Sequence, residues 1–199
     1  MRATLWISAG MLAGGLIGAF TALALGGVTS GIDRGEGIEI GGWRSDLAVG
    51  RPASGPYQRI WLARHALLAP RRSEVLRFTR DADAAGRALT QGCSYRVSGA
   101  ALPGSWWSVT LYDANGYLPV NGDAAPGFGA ADTGGVEWSF IVAERLPDIA
   151  GARWVSSAGA GQFALMLRIY EPSQALQDDP ARLRPPLVER LDCAGGAPA

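Results

Sequence analysis

Five short stretches of this chain alternate apolar and polar residues with a period of two, a pattern that admits few folds. Leu76 and Phe78 alternate with Arg77 and Thr79, and Cys93, Tyr95 and Val97 alternate with Ser94, Arg96 and Ser98. Trp107, Val109 and Leu111 alternate with Trp106, Ser108, Thr110 and Tyr112. Trp138, Phe140 and Val142 come next, and Phe163, Leu165, Leu167 and Ile169 complete the set. Successive side chains of a strand point to opposite faces, so each stretch reads as a strand with one buried face. Gly, Pro, Asn and Asp clusters separate them. Asp113-Ala114-Asn115-Gly116 carries the Asn-Gly step that tolerates the positive φ of a tight turn, which predicts that 106–112 folds back on 117–120. Many short strands with such punctuation predict an antiparallel sandwich or barrel.

A helix precedes the strands. Tyr57, Ile60, Trp61, Leu67 and Leu68 fall on one side at three- and four-residue spacings, with Pro56 at the start and Pro70 at the stop. Ahead of it, 31–56 is rich in Gly and poor in apolar clusters, and reads as a linker. The chain after the last strand pattern, with Pro180, Pro185 and Pro186, ends in a tail (194–199) expected to fray. At 199 residues with 48% hydrophobic and 18% charged residues, there is material for one medium core, which excludes a disordered chain.

The N-terminus sets the expected compartment. Residues 3–32 contain no charge, and 5–28 are apolar or small almost throughout. About 20 such residues are what a bilayer core asks of a helix. A retained anchor and a cleaved export signal both fit, since Ala22-Leu23-Ala24 has the small-x-small form of a cleavage site; the length of the apolar stretch favours a transmembrane anchor over 1–30. Either way the rest of the chain is expected outside the cytoplasm: a single-pass protein of the inner membrane facing the periplasm, or a secreted one. Gly10, Gly14 and Gly18 recur at the spacing that lets membrane helices approach closely, although Gly is common throughout the chain. Oligomeric state stays open. In an oxidising compartment the two cysteines, Cys93 and Cys193, read as a disulfide.

The residues able to carry chemistry are few. Eighteen basic and 18 acidic residues cancel, which removes the electrostatic case for nucleic acid. His65 is the single histidine, and no Gly-x-Ser-x-Gly elbow or metal-ligand spacing accompanies it, so no cofactor or metal is implied. Arg64 sits inside the apolar stripe of the 57–68 helix; a guanidinium there either pairs with Asp81, Asp83 or Asp113 or grips an anionic ligand. Trp106, Thr110 and Tyr112 share one face of their strand, and Met166, Arg168 and Tyr170 share one face of theirs. Such faces form a groove for an amphipathic or sugar-like ligand, or are covered by the protein's own helix. Arg64, His65, Trp106, Tyr112 and Arg168 are therefore the candidate ligand-binding residues. Asp81/Asp83 and Asp178/Asp179 stand among turn residues, where a solvated carboxylate is the ordinary outcome.

The run 96–112, with Trp-Trp-Ser-Val-Thr-Leu-Tyr at 106–112, resembles the DUF1214 family (domain of unknown function 1214). Asp113-Ala114-Asn115-Gly116-Tyr117-Leu118, the stretch from Phe163 through Tyr170 followed by Glu171-Pro172, and Pro185-Pro186-Leu187-Val188 continue the likeness over 57–193. The resemblance is to the small membrane-anchored bacterial members. It implies a jelly-roll-like β-sandwich preceded by one α-helix. The sequence departs from the family where Asn121 leads into a Gly/Ala-rich stretch and at Arg153-Trp154-Val155-Ser156. Membership implies no activity. The leading expectation is a non-catalytic binding or accessory module beside an envelope protein partner; the alternative is a hydrolase on an envelope substrate.

Overall fold

The computed structural model describes residues 2–23, 37–46 and 70–193. The chain divides into two units, one of Met1–Glu36 with Leu47–Arg71 and one of Gly37–Asp46 with Arg72–Ala199. In the first unit, α1 (Arg2–Leu23) is the described element. Trp6, Ile7, Met11, Leu12, Leu16, Ile17 and Phe20 are all exposed, so its apolar side chains point in every direction rather than along one stripe. Residues 24–28 of the expected span 5–28 lie outside the described residues. Among the described residues no helix is long and apolar enough to cross a membrane. The predicted 57–68 helix lies outside the described residues.

The second unit is mainly β. Its strands are β1 (Gly37–Ile40), β2 (Trp43–Asp46), β3 (Val75–Arg80), β4 (Cys93–Gly99), β5 (Gly104–Asp113), β6 (Gly127–Gly129), β7 (Trp138–Ala143), β8 (Trp154–Ser156), β9 (Phe163–Pro172) and β10 (Leu187–Cys193). A short helix, α2 (Gln174–Asp178), follows β9. Six strands form one sheet in the order β1-β2-β3-β9-β5-β6, and four form a second in the order β10-β4-β7-β8. Every pair is antiparallel except β7 with β8. The period-two stretches give β3, β4, β5, β7 and β9, and their apolar positions fill one shared core. Leu76, Phe78, Val109, Leu111, Leu165 and Leu167 come from the first sheet; Tyr95, Val97, Phe140 and Val142 come from the second. Between the sheets Trp107 of β5 stacks on Trp138 of β7 at 4.4 Å. Burying this much aromatic surface is the main force holding the two layers together.

Two sequence expectations change. The segment read as linker contributes the β1–β2 hairpin: Gly41 and Gly42 take φ of +55° and +80°, the left-handed pair that a two-residue hairpin turn requires. Trp43 is fully buried, and its indole Nε1 donates to the Pro186 carbonyl at 2.7 Å. The Asp113–Gly116 turn forms, with Gly116 at φ +83° and Asp113 N donating to Tyr117 O at 2.8 Å, but 117–120 does not return as a strand. Pro119 lacks the N–H a ladder needs, and β5 takes its partners from β6 and β9 instead. After the prolines, β10 pairs along β4 and ends with Cys193 opposite Cys93. Their sulfurs are bonded.

Candidate functional site

The outward residues of the central strands of the six-stranded sheet form a polar and aromatic face. Register fixes its rungs. Val75, Tyr170 and Trp106 lie across one; Arg77, Arg168 and Ser108 across the next; Thr79, Met166 and Thr110 across the third; Ala164 and Tyr112 across the fourth. Trp106 and Tyr170 pack ring to ring at 5.2 Å, and Trp106 remains 42% exposed. Beside them β6 offers Gly129: a Cβ there would stand 3.2 Å from Trp106 Cζ2, so the missing side chain leaves the indole its place. At the other end Arg168 Nη2 donates to the Tyr112 hydroxyl at 2.7 Å, Nη1 reaches Thr110 Oγ1 at 3.5 Å, and the guanidinium carbon lies 5.3 Å from the Tyr112 ring centre. These partners are all neutral.

Arg77 stands directly opposite Arg168. Burial lowers its pKa, the Arg168 charge lowers it further, and Tyr170 and Tyr112 act in the opposite direction. A guanidinium keeps its proton under such pressure. Two positive charges opposed on neighbouring strands are unfavourable in themselves. Of the five candidate residues, Trp106, Tyr112 and Arg168 lie on this one face, with Tyr112 holding Arg168 and Trp106 near the far end. Arg64 and His65 lie outside the described residues. Arg77 was missed as a site residue, and Tyr170 was named only as sharing a face with Arg168; only the register puts Arg77 beside Arg168 and Tyr170 beside Trp106.

Two other polar constellations are structural in form. Asp83, expected as a solvated turn acid, is buried: Oδ1 accepts from Ala85 N and Arg87 N at 2.9 Å, and Oδ2 faces Arg87 Nε at 2.9 Å and Arg190 Nε at 3.0 Å. Arg80 is buried too, donating from Nε to Ala82 O at 2.6 Å and from Nη1 to the Gly41 carbonyl, so the hairpin turn rests on its guanidinium. At one end of the unit a hollow of about 550 Å³ is lined by Arg44, Asp81, Asp113, Gln162 and Phe163. Arg44 pairs with Asp81 there, and the backbone N–H of Tyr117, with that of Asn115, holds the Asp113 carboxyl below the usual carboxylate range. Among the described residues no group of three or more His, Cys, Asp or Glu side chains is placed to hold a metal ion.

The sequence profile described as "Protein of unknown function (DUF1214)" matches residues 74–174, from the edge of β3 to the start of α2. The chain belongs to the DUF1214 family. The matched segment contains β3 through β9, and hence every residue of the outer face. No curated protein sequence matches the chain. A Vibrio parahaemolyticus protein of known structure is similar in fold, with a TM-score of 0.56 at 15% identity, over 70% of this chain and 36% of that one. This DUF1214 chain thus spans about a third of its structural neighbour. An uncharacterised protein from Burkholderia cenocepacia aligns over 62% of this chain and 31% of its own, with a TM-score of 0.38 at 15% identity.

Proposed function

We propose that this DUF1214 protein is a binding module of the cell envelope, which takes its ligand on the outer face of the six-stranded sheet. The observation that carries this reading is Arg168: a half-buried guanidinium held by Tyr112 and Thr110, with no carboxylate paired to it among the described residues. A sheet needs no such group for its own stability, since charge on a partly desolvated face is costly unless something compensates it. Two features support the envelope. The Cys93–Cys193 bridge suits an oxidising compartment. A helix apolar around its whole circumference, as α1 is, suits attachment to a membrane.

The test places a photoreactive phenylalanine at position 106 in cells, with position 189 on β10 as the control. The reading expects a discrete adduct at 106 that is absent at 189 and that disappears when Arg168→Met is added. An identical yield at both positions, or no adduct, overturns it. Membrane attachment is checked by fractionation, where recovery of the full chain in the soluble fraction rules it out.

A further inference from the structure

We propose that the ligand is a carboxylate on an extended apolar chain, a fatty-acid-like amphiphile, with the carboxylate at the Arg168 guanidinium and the chain running along the Arg168 stem toward Tyr170 and Trp106. This rests on the binding-module reading above. The two ends of the face differ in chemistry. The Arg168 end offers N–H groups in the planar fork that matches a carboxylate, oriented by Tyr112 and Thr110. The other end is apolar and aromatic: Val75, Tyr170 and Trp106 lie across a single rung, with Trp106 kept in place over Gly129. Thr110 and Trp106 are four residues apart on β5, so the ends lie about 13 Å from one another along the strand. Between them lies the rung of Arg168 and Ser108, where the methylene stem of Arg168, whose guanidinium reaches Thr110 and Tyr112, offers an alkyl chain an apolar surface. A compact anion such as inorganic phosphate would engage the cationic end and leave Trp106 as exposed as before. An uncharged chain would leave the guanidinium uncompensated. An elongated monoanion satisfies both ends.

The probe is octanoate, titrated calorimetrically into the full chain in a zwitterionic detergent, with octanol as the uncharged match and acetate as the headgroup alone. We expect saturable one-site binding of octanoate, weaker by about tenfold or more in Arg168→Met, as loss of a charged hydrogen-bonded pair implies. Tyr112→Phe keeps the ring beside the guanidinium but removes the hydroxyl that orients it, and is expected to weaken binding several-fold with an unchanged melting temperature. Octanol and acetate should each bind at least about tenfold more weakly than octanoate. Octanoate binding that is absent, or equal in wild type and both variants, overturns the proposal. An adduct at position 106 that depends on Arg168, found together with no octanoate binding, rejects the fatty-acid class and leaves the face as the binding site. Failure of both experiments removes both.

Discussion

Asp83 shows how a single carboxylate can hold distant segments of the domain together. It accepts backbone N–H groups from its own turn and faces the guanidinium of Arg190 on β10. Burial alone would raise its pKa, but the backbone and side chain of Arg87, the N–H of Ala85 and the charge of Arg190 outweigh that and hold it below the ordinary range. A carboxylate lowered in this way adds stability above its unfolded pKa, near 4, and loses it as pH falls through the folded value. Asp83→Asn should therefore destabilise the domain by about 3 kcal/mol at neutral pH, the low end for breaking a buried pair because Arg87 is 44% exposed. The gap between wild type and variant should close as pH falls below about 4. Urea midpoints at a series of pH values measure it, and a gap unchanged in acid would refute the assignment. Sequence offered no local sign separating Asp83 from Asp81, because Arg190 reaches it only through the β10–β4 pairing.

The β1–β2 hairpin is the element that sequence reading placed least well. Gly-Gly at 41–42 and the flanking Ile38, Ile40 and Trp43 look like linker composition when scored by Gly content, since four-residue strands leave almost no periodicity to detect. What makes them an element is tertiary. Arg44 pairs with Thr79 across the sheet, Arg80 carries the turn, and Trp43 is sealed in the core with its indole on Pro186. Trp43→Ala should cost about 3–5 kcal/mol, the range for emptying a large aromatic site, with the loss read as a lower urea midpoint. A cost under about 1 kcal/mol would mean that the hairpin is only laid against the domain. The strands β3, β4, β5, β7 and β9 lie at the opposite extreme. Each is long enough to display its alternation, and each buries the face its sequence assigned.

Across the whole molecule, the bridge between Cys93 and Cys193 ties the last strand to the start of β4 over a separation of 100 residues. In the chain-entropy account a loop of that length is worth up to about 4.7 kcal/mol, acting on the unfolded chain. Cys193→Ser should lower stability by about 2–4 kcal/mol, and wild type unfolded in excess dithiothreitol should match the variant. If reduction leaves the urea midpoint in place, the bridge contributes nothing. The pairing was legible from the cysteine count together with an expected compartment, whereas the strand that presents Cys193 was hidden behind Pro185 and Pro186. The sequence alone established a mainly β domain with its core strands and inward faces, because side-chain alternation is local and repeats within each strand. It also put Trp106 and Tyr112 on one face of their strand, and Arg168 with Tyr170 on one face of theirs. Which strands neighbour one another, and hence that Arg77 opposes Arg168 and Tyr170 meets Trp106, was decided by tertiary structure. Register between distant strands depends on packing of the whole core, and no short window of residues encodes it.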